Sequence, residues 1–123
     1  MSWQFVNDRP IYAQLVELIQ QKILSGEYAP GGKLPSIRDL AAEAAVNPNT
    51  LQRAFSELEL KGLVYTQRTA GRFISEDQEQ IGALRQAYAK QAVRDFYERM
   101  QSLGYSASEV VTLVKENAEE EKV

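Results

Sequence analysis

Two short helical segments, with almost nothing between them, constrain this chain most. Ser36 is a good N-cap for the first, with Asp39 in its opening turn and Leu40, Ala41 and Ala44 as its apolar side. The small Ala41-Ala42 and Ala44-Ala45 pairs allow a neighbouring helix to approach closely. A tight turn follows, in which Asn47 caps the second helix and Pro48 takes its first position. Leu51, Ala54, Phe55 and Leu58 give that helix one apolar face, and Gly62 ends it. Leu63-Val64-Tyr65-Thr66 then reads as a strand, Arg68-Thr69-Ala70-Gly71 as a turn and Arg72-Phe73-Ile74-Ser75 as the returning strand. A lone two-stranded hairpin is marginal in water, so this one has to lie on the helices. The result is a helix-turn-helix with a wing.

The flanks extend this core. Upstream, Ile11, Leu15, Leu18, Ile19 and Ile23 mark one face of a helix. Asp8 is its expected N-cap, Pro10 suits its first turn and Gly26 closes it. Pro30-Gly31-Gly32 is loop punctuation. Downstream, a long helix starts near Asp77 and carries a stripe of Ile81, Leu84, Tyr88, Ala92, Phe96 and Met100, widened by Val93 and Tyr97. Over 78–102 it spans roughly 37 Å. Gly104 breaks it, and Ser106 with Glu109 forms a capping box for a last helix with Val110, Leu113 and Val114 inward. Glu119-Glu120-Glu121-Lys122 is a solvated end. The predicted fold is mainly α with a small β-hairpin: a winged helix-turn-helix over 1–76 and a two-helix tail over 77–123. The short last helix cannot cover the whole stripe. A twofold partner would, which makes Ile81, Leu84, Tyr88, Ala92, Phe96 and Met100 the expected dimerisation residues.

Composition closes off other classes. The chain has no cysteine and no histidine. Disulfides, thiolate chemistry, histidine triads and most zinc sites are therefore excluded. No carboxylate pair sits in a catalytic setting and no phosphate-binding glycine loop is present, so neither an enzyme nor a cofactor is expected. No apolar run approaches a membrane span, and Met1-Ser2-Trp3-Gln4-Phe5 does not read as a signal peptide, so the expectation is a cytoplasmic protein with no membrane partner. Net charge is −3 overall, but residues 33–72 carry +2 and the acidity sits in the tail. That leaves DNA as a partner.

The outer face of the second short helix agrees. With its apolar side buried, Asn49, Thr50, Gln52, Arg53 and Ser56 point outward. Amide side chains suit adenine edges and arginine suits guanine. Ser36 and the amides beside it suit a phosphate, with Arg38 adding charge. Other roles stay open: Arg38 pairing with Asp39 or Glu43, Arg53 pairing with Glu57, Asn47 serving only as a cap and Gly71 only as a turn residue.

Leu34-Pro35-Ser36-Ile37-Arg38-Asp39-Leu40-Ala41, continued by Val46-Asn47-Pro48-Asn49-Thr50-Leu51-Gln52-Arg53-Ala54-Phe55, resembles the helix-turn-helix signature of the GntR family of bacterial transcription regulators. The opening Pro10-Ile11-Tyr12-x-Gln14-Leu15 and the Asn-Pro-Asn-Thr turn are similar to its YtrA-like subfamily. The resemblance implies a homodimeric, sequence-specific regulator on palindromic double-stranded operator DNA. It also implies a transporter operon as target. Steric occlusion of a promoter needs only binding, so repression is the expected mode. Matching contact positions are Ser36, Arg38, Asn47, Asn49, Thr50, Gln52 and Arg53, with Gly71 and Arg72 at the wing. Thr69 stands where the family's wing often has glycine, which loosens the case for close approach of the wing tip. A small-molecule effector of unknown identity would sit at the dimer interface or between tail and winged helix, because two helices alone hardly enclose a pocket. The alternative is a winged helix serving as a protein–protein interaction module without sequence-specific DNA binding; the polar face of the second helix argues against it.

Overall fold

The computed structural model describes residues 3–121. Met1 and Ser2, from the leader reading, and Lys122, from the acidic end, lie outside that range. The elements run α1 (Ile11–Leu24), α2 (Ile37–Ala44), α3 (Pro48–Leu60), β1 (Val64–Gln67), β2 (Gly71–Ile74), α4 (Gln78–Ser102) and α5 (Ala107–Glu121). This is the expected mainly helical, winged helix-turn-helix architecture with two further helices. The chain forms two compact units, Met1–Arg85 and Gln86–Val123.

In the first unit α1, α2 and α3 close around Leu15, Ile19, Leu40, Leu51, Phe55 and Leu58, all essentially inaccessible. Ser36 caps α2 as expected, its Oγ accepting the Asp39 N–H at 3.1 Å. Asn47 caps α3 by accepting the Asn49 N–H at 2.8 Å, with Pro48 at the helix start. Between them Ala45 holds a left-handed φ of 56°, the one non-glycine with positive φ among the described residues. The Val46 N–H reaches back to the Ala41 carbonyl at 3.0 Å. That corrects the reading of the alanine pairs: Ala41 and Ala44 are buried, whereas Ala42 and Ala45 are exposed and mediate no close helix approach.

Three further expectations need correction. Asp8 does not cap α1; Pro10 occupies that position with no side-chain cap. The Gln14 amide instead clasps the preceding segment, accepting the Val6 N–H at 2.8 Å and donating to the Val6 and Arg9 carbonyls at 2.9 and 2.8 Å. On the α1 face, Ile11 is exposed and Leu18 half-buried, while Val16 and the stem of Lys22 go inside. The Lys22 ammonium bonds Glu27 at 2.5 Å, which holds that carboxyl below its ordinary range, and lies 5.0 Å from the Trp3 ring centre. The hairpin ladder is offset by one residue at each strand, because a turn of three residues, Arg68-Thr69-Ala70, joins Gln67 to Gly71. It also gains a third edge: Lys33 bridges Phe73, and the Leu34 N–H donates to the Arg72 carbonyl at 2.9 Å. That edge relieves the marginality of a two-stranded sheet.

Candidate nucleic-acid interface

The buried side of α3 dictates what it shows outward. Leu51, Ala54, Phe55 and Leu58 are fully enclosed. Asn49, Gln52, Arg53 and Ser56 are therefore exposed, with Thr50 half-buried beside them. Ser36 and Arg38 are exposed at the start of α2. Arg38 forms no ion pair among the described residues, so the alternative of pairing with Asp39 or Glu43 is not realised. Glu43 instead accepts the Trp3 indole N–H at 3.0 Å. Asn47 commits its Oδ1 to the cap and keeps only its amino group free.

Two arginines are held in place. The Arg53 guanidinium stacks on the Tyr12 ring at 3.6 Å from its centre rather than pairing with Glu57. Stacking fixes the plane and leaves the edge N–H groups available. Arg72 turns back from β2 onto α3, where its Nη2 donates to Gln52 Oε1 at 3.1 Å and its Nε lies 3.5 Å from Glu59 Oε1. The wing tip itself exposes Arg68 and Thr69. At the base of the wing Gly71 has φ +112°, and a Cβ there would sit 3.2 Å from Lys33 Cε. A turn requirement therefore explains this glycine.

The sequence reading missed Tyr12, Lys33 and Glu59 as parts of this surface. Tyr12 lies in the quoted Pro10-Ile11-Tyr12 segment, and Glu59 stands seven residues after Gln52 on the same side of α3. Helical spacing alone could have paired those last two.

The predicted dimerisation stripe divides. Ile81 is buried in the core of the first unit, and Leu84 packs against that core. Both are engaged within their own chain. Tyr88 and Ala92 are exposed, and Phe96 and Met100 half-buried, in the second unit. There α4 and α5 leave an open groove of about 660 Å³, lined by Val93, Phe96, Tyr97, Val110, Val111 and Val114 among others. The space is larger than the sequence reading expected of two helices, but it is open. The capping box forms as read, with the Ser106 N–H donating to Glu109 Oε1 at 2.9 Å. That bond holds the Glu109 carboxyl below its ordinary range. No helix among the described residues is long and apolar enough to cross a membrane.

Comparison with known proteins points the same way. The profile of the gntR family of bacterial regulatory proteins matches residues 11–74. The chain is 37% identical over 115 residues to the HTH-type transcriptional regulator YhcF of Bacillus subtilis, covering 94% of this chain and 95% of YhcF. It is 44% identical over 68 residues to the HTH-type transcriptional repressor YtrA of the same organism, covering 55% of this chain and 52% of YtrA. Among solved structures, a GntR family transcriptional regulator from Listeria monocytogenes superposes with a TM-score of 0.85 at 39% identity, over 91% of this chain and 98% of its own. AraR(DBD), solved in complex with operator ORX1, superposes with a TM-score of 0.55 at 28% identity, over 58% of this chain and 93% of its own.

Proposed function

This chain belongs to the GntR family of DNA-binding transcription regulators, and from that membership we propose that it is a homodimeric repressor acting on a palindromic operator. The observation that carries the reading is the two-sidedness of α3: a wholly buried apolar side and, opposite it, an exposed row of Asn49, Gln52, Arg53 and Ser56 beside a wing. A helix so presented fits the major groove, where amides and guanidinium groups discriminate base edges. Ser36 and Arg38 at the start of α2 supply a phosphate site that sets register without reading sequence. The repressive mode is supported by the likeness to YtrA, which is named a repressor. The likeness to YtrA supports a transporter operon as the target in this reading, and action on chromosomal DNA supports a cytoplasmic location.

Dimerisation through the second unit completes the reading. Its open apolar groove and the exposed Tyr88, Val93, Val111 and Val114 form a surface that water covers poorly. A second copy seated there would produce an isologous seam and two recognition helices related by a twofold axis.

Selection of bound fragments from the source genome with the full-length chain, followed by footprinting and light scattering, tests both parts. The expected result is an inverted repeat with half-sites about one helical turn or a multiple apart, bound by a dimer. A single asymmetric half-site bound by a monomer refutes the dimeric reading. No sequence enrichment at all would leave the protein-interaction alternative.

A further inference from the structure

Arg72 sits in the middle of β2, opposite Thr66, with its side chain 23% exposed. Its guanidinium spans two turns of α3, touching Gln52 at one end and Glu59 at the other. Thr66 donates its hydroxyl to the same Glu59 oxygen at 2.5 Å, so the wing is hooked to α3 from both strands. The Arg72 Nε is buried without a hydrogen-bond partner, 3.5 Å from Glu59 Oε1. Glu59 already compensates its charge. The guanidinium is thereby turned onto α3, its charge against Glu59 and one Nη2 N–H on Gln52.

A guanidinium carries only donors, so the Gln52 atom facing it has to be the oxygen. The two ends of a primary amide are chemically opposite, and holding Oε1 against Arg72 leaves the Nε2 amino group as the free end. Resting on the reading of α3 as the base-contacting helix, we infer that Arg72 is a positioning residue rather than a DNA contact. It locks the Gln52 amide so that Gln52 presents donors to the groove and selects a base with acceptors on its major-groove edge. Guanine offers two acceptors there, thymine and adenine one each, and cytosine none, so guanine is favoured and cytosine rejected. The two-point grip on adenine expected of a free amide would require Oε1 to be shared between Arg72 and the adenine amino group.

The test is selection from randomised duplex DNA with the full-length chain and its variants, followed by salt titration on the selected site. Gln52→Ala should flatten one position in each half-site. Arg72→Met should flatten the same position, with discrimination against cytosine falling about fivefold or more, because a released amide can turn its oxygen outward. Its salt slope should stay that of the parent. In the Gln52→Ala background Arg72→Met should change nothing further at that position. Arg72→Lys, which keeps a donor, should retain the preference; it carries the test should Arg72→Met lose its folded circular-dichroism spectrum. A salt slope lowered by about one per subunit in Arg72→Met marks a phosphate contact and overturns the assignment. So does a further shift of preference in the Gln52→Ala background, or loss of the preference in a folded Arg72→Lys. A parent chain that enriches no sequence overturns the reading of α3 itself, a result visible before any variant is made.

Discussion

Phe55, Leu15, Ile19 and Leu58 in the unit Met1–Arg85 are wholly shielded, whereas among the described residues of Gln86–Val123 only Val110 is buried. The contrast is geometric. Three helices and a small sheet surround a common centre, so each contributes an inward face. Two helices share one face between them and leave their other sides in water. Tyr88 at 48%, Val93 at 65% and Val114 at 48% exposure are the consequence. The first unit closes its own core; the second leaves much of its apolar surface exposed.

The comparison breaks most visibly at Phe55. Removing a fully enclosed aromatic ring costs about 3–5 kcal/mol, a large share of a typical domain's whole stability. Phe55→Ala should lower the unfolding midpoint of the first unit steeply, read by denaturant titration, and weaken DNA binding as the folded fraction falls. Phe96→Ala in the second unit should cost far less in dilute protein, because its half-buried ring leaves no sealed cavity. Equal losses at the two sites would show that the second unit is as closed as the first.

Val93→Glu sharpens the other side. At a solvated position such a change stays within about 0.5 kcal/mol of neutral. In an apolar seam it places charges where no water reaches. The full-length variant should therefore remain folded but run as a monomer in light scattering. Its operator affinity should fall about 100-fold or more, as the linked second half-site is lost. An unchanged dimer would exclude this groove from the seam.

How much of this was legible in the sequence follows the range of the interactions. Ser36, Asn47 and the Ser106–Glu109 box are caps made within three residues, and each forms as read. The α3 core face is one period of one helix, and it too is as read. Gln14 and Lys22 were invisible because a polar residue is read as outward until its partners are known. The Gln14 partners are backbone groups of Val6 and Arg9, and Lys22 is covered by Trp3, Tyr28 and Glu27. Arg72 looked like a wing cation because Glu59 and Gln52, which hold it, lie in a different element. The stripe on α4 looked uniform from end to end. Periodicity shows which residues share a face, but not that Ile81 and Leu84 belong to the core of the first unit.

The interhelical turns differ between the units as well. The α2–α3 turn places Ala45 at φ 56°, whereas the α4–α5 turn uses Gly104 at φ +94°. A left-handed alanine costs about 1–2 kcal/mol, partly offset by the entropy glycine loses on folding. Ala45→Gly should therefore stabilise the first unit by roughly 0.5–1 kcal/mol, seen as a rise in melting temperature of a few degrees. Gly104→Ala should move the second unit the opposite way. A melting temperature lowered by Ala45→Gly would mean that backbone entropy outweighs the strain.

The smallest effect concerns acid. With little packing around it, α5 depends on its ends, and its start is tied by the Ser106 N–H donating to Glu109 and the Glu109 N–H returning to Ser106 Oγ. The carboxyl titrates below its ordinary range because the charged form accepts the backbone bond. Its stabilising contribution is therefore complete above the ordinary glutamate midpoint of about 4.3 and is lost as pH falls through the lowered folded value. The Ser106 amide reports this directly. Its NMR shift should titrate with a midpoint below that of a free glutamate, while Glu109→Gln, which keeps an acceptor, should show no such transition. Glu27 is lowered as well, by its bond to Lys22, so the first unit has a carboxylate responding in the same direction. Because Lys22 is packed into a closed core, helicity there should survive the pH at which the first turn of α5 frays. Simultaneous loss in both units would mean that the second unit does not depend on its cap more than the first depends on any one of its surface bonds.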